Sequence, residues 1–268
     1  MKDILEEIVA AKRIEVARQK EAVAPSVLYR QVEAMMEERE APLKIRSMKQ
    51  SLASSDSGII AEFKRKSPSK GWIHADAQPE DVVPFYAANG ASALSILTDE
   101  PYFGGCQEFI TRMRPLVDIP ILRKDFIVDE YQLFQARQIG ADAVLLIAAD
   151  LRKDECRDLL RRAHDLRLQV LLEVHSENEL DWYSDEVDMV GVNNRNLGTF
   201  HTDVQRSFDI AERLPKGTVL VSESGISSPD TVKSLREVGY RGFLIGETFM
   251  KEQNPGEALA RFIEALKK

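Results

Sequence analysis

Positive charge is what this chain is short of. Its 36 lysines and arginines face 44 aspartates and glutamates, a formal net charge of −8. No nucleic-acid partner is expected, because affinity for a phosphate backbone comes from a basic face. Cysteine is scarce too. Cys106 and Cys156 are too few for a disulfide framework, and neither sits in a CxxC or Cys/His cluster of the zinc-binding kind. A reduced, cytoplasmic protein is the simplest reading. No apolar run is long enough to cross a bilayer, so no membrane partner is expected. The charged, amphipathic start Met1-Lys2-Asp3-Ile4-Leu5 does not read as a signal peptide. His74, His164 and His201 have no partner at metal-ligand spacing, and neither a metal nor another cofactor is expected.

What is present is an ordinary globular composition, 44% hydrophobic and 30% charged over 268 residues, a length at which an α/β barrel runs as one domain. Residues from about 2 to 40 read as helix. Ile4, Leu5, Ile8 and Ala11 mark one face, and Pro25 splits the stretch in two. From about residue 58 the rhythm changes to short apolar runs alternating with amphipathic stretches, as βα units do. Strands are expected at Gly58–Lys64, Ala91–Asp99, Ile119–Phe126, Ala141–Ala149, Gln169–Ser176, Met189–Arg195, Thr218–Gly225 and Gly242–Glu247. Helical segments come after them near 79–89, 105–116, 129–139, 152–167, 176–184, 203–212, 228–238 and 255–267. A doubly wound open sheet seldom needs eight regular units and carries a Gly-rich turn after its first strand, which is missing here. The expected fold is therefore α/β: a single (β/α)8 TIM barrel with an N-terminal helical extension. No low-complexity linker divides the chain, so 1–268 reads as one domain, with 1–50 as the extension and 58–268 as the barrel.

Barrels of this kind carry their sites at the C-terminal ends of the strands, and residues two apart share a face. Strand 1 ends with Glu62 and Lys64 on the face of Ile60, and strand 3 with Lys124 on the face of Leu122. Strand 5 ends in Glu173, strand 6 in Asn193-Asn194-Arg195, and strand 7 in Glu223-Ser224-Gly225. Ionisable groups are costly to desolvate without partners, so converging lysines and glutamates would offset one another and shift their pKa values toward catalytic use. The competing reading is a ring of structural ion pairs around the rim. Phosphate sites in such barrels use backbone N–H groups after strands 7 and 8, where Ser224-Gly225 and Gly246-Glu247 lie. The Glu247 side chain is expected to point away from the anion. The lysines and arginine of residues 64–70 read as a local well for an anionic substrate.

Six segments carry a family resemblance. Ala61-Glu62-Phe63-Lys64-Arg65-Lys66-Ser67-Pro68-Ser69-Lys70-Gly71 resembles the first-strand signature of indole-3-glycerol phosphate synthases. Thr98-Asp99 with Tyr102-Phe103-Gly104-Gly105 resembles that family's loop after strand 2. Leu122-Arg123-Lys124-Asp125-Phe126 and Leu172-Glu173-Val174-His175 resemble its third and fifth strand ends. Gly191-Val192-Asn193-Asn194-Arg195-Asn196-Leu197 and Ser222-Glu223-Ser224-Gly225-Ile226 complete the set. The resemblance spans the whole chain and implies a carboxy-lyase of tryptophan biosynthesis. Its substrate is 1-(2-carboxyphenylamino)-1-deoxyribulose 5-phosphate, which loses carbon dioxide and water as the indole ring closes.

The resemblance also implies roles. Lys124 is the acid at the ketone, with a pKa lowered toward neutrality by burial and nearby positive charge. Lys64 holds the carboxylate and serves as a later acid, and Glu173 is the base in dehydration. Glu62, Asn193, Arg195 and Glu223 orient the lysines and sugar hydroxyls. Ser224, Gly225, Gly246 and Glu247 take the phosphate, Phe103, Phe126 and Leu145 the aromatic ring, and Ser67 is a lesser substrate contact. His175 is read as structural, and Cys106 stands where the family has a small serine. The implied assembly is a monomer in weak association at most with other enzymes of the tryptophan pathway. Two rival readings stand beside this one: another phosphate-sugar barrel enzyme, such as a phosphoribosylanthranilate isomerase, and an inactive barrel that only binds phosphorylated ligands.

Overall fold

A computed structural model describes residues 4–37, 46–196 and 198–268. Residues 2–3 and 38–40 of the expected helical stretch, and Leu197, lie outside the described residues. The barrel strands are β1 (Ile59–Phe63), β2 (Ala93–Leu97), β3 (Ile121–Lys124), β4 (Ala143–Ile147), β5 (Gln169–Val174), β6 (Met189–Asn193), β7 (Val219–Glu223) and β8 (Tyr240–Ile245). All are parallel, each pairs with its neighbour in sequence, and β8 closes onto β1. This is the expected (β/α)8 barrel.

Alternation along the strands builds two cores. Ile59, Ala61 and Phe63 of β1 face outward, into the apolar layer shared with the helices. Ile60, Leu122, Leu145, Leu171, Met189, Val221 and Leu244 face inward and fill the barrel. The N-terminal end of that inner core is stoppered by a helix that the sequence pattern does not separate out. The extension supplies α1 (Ile4–Ala22), α2 (Pro25–Glu37) and then α3 (Met48–Ser54). Ser47 caps α3 by accepting from the Gln50 N–H, and Met48 and Leu52 are fully buried in the inner core. Thus α3 straddles the expected boundary at residue 50.

Pro25 opens α2, where its missing N–H costs nothing. Tyr29 of α2 stacks on Phe134 of the helix after β3, centroids 3.8 Å apart. Between the strands run α4 (Pro79–Ala88), α5 (Glu100–Phe103), α6 (Gln107–Met113), α7 (Glu130–Ile139), α8 (Lys153–Asp165), α9 (Gln205–Ala211) and α10 (Pro229–Glu237), and after β8 come α11 (Glu247–Met250) and α12 (Pro255–Leu266). The segment expected as helix at 176–184 is instead a 3-10 turn, Glu177–Trp182. Glu179 there folds back to accept from the N–H of His175 and the hydroxyl of Ser176, which tightens the coil.

Candidate active site

The strand ends open into one cavity of about 640 Å³. Its floor is an unusual barrel layer. Such interiors are built in layers of four side chains from alternate strands, usually branched apolar ones. Here β1, β3, β5 and β7 contribute Glu62, Lys124, Glu173 and Glu223, all lining the cavity. Lys124 Nζ lies 2.7 Å from Glu173 Oε2 and 2.7 Å from Glu223 Oε2. Lys64 Nζ lies 2.6 Å from Glu62 Oε1, and Ser95 donates to Glu62 Oε2 at 3.3 Å. Asn193 donates to Glu173 Oε1 at 3.1 Å. The even strands make room for these carboxylates: a Cβ at Gly191 would collide with Glu223, and one at Gly246 with Glu62.

The electrostatics correct one expectation. No second cation lowers the pKa of Lys124. Burial works against its charge, but Glu173, Glu223 and Glu62 outweigh burial and hold the pKa above the ordinary lysine value. Glu173 is buried, yet Lys124 and then His175 hold its pKa well below the usual carboxylate range. Glu223 goes the other way. Burial, with Glu173 and Glu62 nearby, pushes it up to about 7 despite Lys124. Three carboxylates share two lysines here, and burial with its carboxylate neighbours raises the pKa of Glu223.

The second end of the cavity is formed by the turn after β7 and the start of α11. Ser224 and Gly225 both adopt left-handed backbone, at φ 66° and 76°, which turns the chain sharply after β7. Asn194 holds the strained Ser224 in place by donating to its carbonyl at 3.0 Å. Asn194 points out of the barrel, is fully buried, and also bonds Ser222 and Ser207. Its supporting part was missed in the sequence, although a polar residue on a buried outer face must have a partner. Gly246 and Glu247 line the same end, where α11 starts.

The Glu247 side chain is a second correction. It does not point away but reaches over the cavity, 3.5 Å from Lys70 Nζ and 3.8 Å from an Arg195 guanidinium nitrogen, because both cations attract it. Arg195 in turn donates to Ser69 at 2.6 Å. Of the basic run, Lys64 and Lys70 line the cavity. Arg65 and Lys66 instead tie their hairpin to the neighbouring loop through the carbonyls of Gly104 and Pro101.

The apolar wall is formed by Phe103, Phe126 and Leu145, with the two rings 6.0 Å apart and tilted by 40°. Ser67 lines the cavity as well, buried in the hairpin after β1. Ile4, Leu5 and Ile8 of α1 complete the wall, so part of the expected helix face serves the cavity. Among the described residues no group of His, Cys, Asp or Glu is arranged to hold a metal ion. Also among them, no helix is long and apolar enough to cross a membrane.

A closed barrel with a charged cavity at the C-terminal ends of its strands is the architecture of a (β/α)8-barrel enzyme. The family model described as Indole-3-glycerol phosphate synthase matches residues 5–262. Curated proteins of that name match nearly end to end. The one from Bacteroides thetaiotaomicron is 60% identical, covering 99% of this chain and all of its own. The one from Bordetella pertussis is 40% identical, covering 98% of this chain and all of its own. Among solved structures, KGPDC from Streptococcus mutans shares the fold, with a TM-score of 0.62 over 80% of this chain and 98% of its own, at 14% identity. The chain belongs to the indole-3-glycerol phosphate synthase family.

Proposed function

We propose that the protein converts 1-(2-carboxyphenylamino)-1-deoxyribulose 5-phosphate to indole-3-glycerol phosphate, carbon dioxide and water. One observation carries the reading most: a protonated lysine, Lys124, fixed between two carboxylates on the floor of a cavity whose far end suits a phosphate. The substrate carries two anions and one aromatic ring. The phosphate fits the turn at Ser224 and Gly225 and the backbone at Gly246 and Glu247, the ring lies against Phe103, Phe126 and Leu145, and Lys64 meets the carboxylate. Ser67 and Arg195 flank the entry.

A ring carbon attacks the ketone, and the growing negative charge on the ketone oxygen takes the proton of Lys124. Its high pKa is no obstacle, since an alkoxide is a far stronger base than an amine. Glu223, poised near neutrality, returns a proton to the pair. Carbon dioxide leaves from the attacking ring carbon, which carried the carboxylate, and the electrons of the broken C–C bond restore the aromatic ring. The new hydroxyl then departs as water with a proton from Lys64, while the ionised Glu173 takes the proton whose loss closes the indole double bond. Glu62 and Asn193 hold Lys64 and Glu173 in register.

The isomerase alternative would call for a Cys or Asp acid–base pair at the strand ends, but neither Cys106 nor Cys156 lines the cavity, and the one aspartate that does, Asp125, is paired with Lys12 and Arg123. We read residues 1–268 as one domain, monomeric and cytoplasmic, in weak association at most with other enzymes of the tryptophan pathway. Adding the carboxyphenylamino-deoxyribulose phosphate and following indole fluorescence tests the activity. A rise that requires Lys124 supports it; no rise, with the substrate still raising the melting temperature, leaves only a binding barrel.

A further inference from the structure

His175 stands two residues beyond Glu173, so it lies on the same side of the chain as β5 runs out. Its Nε2 is 3.1 Å from Glu173 Oε1, and its Nδ1 is 3.4 Å from Glu179 Oε2. The side chain is only 10% exposed and does not line the cavity. Neither contact meets hydrogen-bond geometry, but each puts a ring nitrogen within ion-pair distance of a carboxylate oxygen. A neutral imidazole has one N–H and one lone pair, and either tautomer would leave an unprotonated nitrogen beside a carboxylate oxygen. Only the imidazolium suits both neighbours. Glu179 is itself fixed, accepting from the His175 N–H at 2.8 Å and from the Ser176 hydroxyl at 3.1 Å.

We propose that His175, charged and anchored by Glu179, is a positioning residue that keeps Glu173 ionised and aimed into the cavity while Lys124 is occupied with the substrate. The inference rests on the reading of Glu173 as the base. Glu173 is held on one oxygen by Lys124 and on the other by Asn193 and His175. When Lys124 gives its proton to the ketone, its positive charge disappears from that triad. Asn193 is neutral, so His175 is then the cation that remains against Glu173. The charged groups facing the imidazole are Glu173 from its own strand and Glu179 from the following turn, with Lys124 of β3 beyond Glu173. Burial opposes its charge, but the two carboxylates prevail and push its pKa up to about 10, so the cation persists through the neutral range.

The test is the pH profile of kcat for His175→Asn, beside Glu173→Gln and the wild type. The expected result is a fall in kcat of about tenfold with KM nearly unchanged, and an acid limb moved upward by about one pH unit, as loss of a neighbouring charge requires. A His175→Asn enzyme with wild-type kcat and an unmoved acid limb, while Glu173→Gln loses about 10²-fold in kcat, would overturn the positioning role alone. Wild-type turnover in Glu173→Gln would overturn the base assignment and this proposal with it. Should His175→Asn not fold, the wild-type protein supplies the answer through ¹³C-labelled histidine. With His74, His164 and His201 each assigned by substitution, the remaining ring signal should report an imidazolium at pH 7 through 8. A neutral ring at pH 7 would overturn the proposal.

Discussion

Two buried clusters of charge meet at neighbouring residues of one strand end, and they behave in opposite ways. Lys124 points into the barrel, with Glu173, Glu223 and the Lys64–Glu62 pair around it. Asp125, the next residue, belongs to a cluster roofed by α1. Lys12 of α1 is 3.0 Å from Asp125 and 3.0 Å from Asp99, and Arg123 is 2.9 Å from the other oxygen of Asp125. Thr98 and the carbonyl of Gln132 complete the bonding. Lys12 and Arg123 there hold two aspartates sealed from solvent, a third carboxylate, the part-exposed Glu15, reaches Lys12 at 2.8 Å from the edge, and Asp125 is held below the usual carboxylate range. The inner cluster buries all three of its carboxylates around two lysines, opens on a cavity, and contains a glutamate whose pKa is pushed up to about 7. Pairing sealed from solvent makes an anchor. Buried carboxylates crowded beside an open cavity raise one of their pKa values toward the neutral range.

The strongest way to break that contrast is Lys124→Ala. Turnover should fall by at least about 10³-fold in the fluorescence assay, in the upper range for loss of a general acid. Glu173 and Glu223 would then face each other without their shared cation. One should take up a proton, so the variant's melting temperature should recover as pH is lowered from 8 to 5. Unchanged turnover would remove Lys124 from the reaction. Glu173→Gln comes next, with a fall of about 10²-fold in kcat and near-normal binding of substrate. Weak binding with normal turnover per bound molecule would contradict its part as a base.

Sequence alone revealed the inner cluster but not the outer one, for a physical reason. Strand alternation is local, so Glu62, Lys124, Glu173 and Glu223 declare their inward direction from residues on either side. Lys12 meets Asp99 and Asp125 only because α1 docks over the barrel mouth, a contact between segments far apart in the chain that no local pattern encodes. The eight strands were visible for the same reason as the inner cluster. The α3 stopper, the link from His175 to Glu179 and the reach of Glu247 toward Lys70 and Arg195 all depend on tertiary placement.

Lys12→Met sharpens the comparison from the outer side. Removing one partner of a buried pair costs about 3 kcal/mol or more, which denaturant unfolding would measure, because the remaining charges stay desolvated. Turnover per folded molecule should change little, since Lys12 does not line the cavity. A loss of kcat as deep as that of Glu173→Gln would mean that the two clusters act as one.

The smallest effect separates them by the sign of a slope. Glu223 has its pKa raised from 4.5 to about 7 by burial and its carboxylate neighbours, so between those values the folded protein binds more protons than the unfolded chain. Its contribution to stability must fall as pH rises through that window. Asp125 is depressed from 3.8 by Arg123 and Lys12, and its contribution is present above that value and lost only as pH falls through the folded pKa. Glu223→Gln also removes a partner of Lys124, but Lys124 stays protonated throughout, so that cost is a constant offset. The stability difference between Glu223→Gln and wild type should therefore shift in the variant's favour from pH 4.5 to about 7, whatever its starting value. A difference that stays flat would mean Glu223 is ionised throughout, paired as fully as Asp125, and the inner cluster would be an anchor like the outer one.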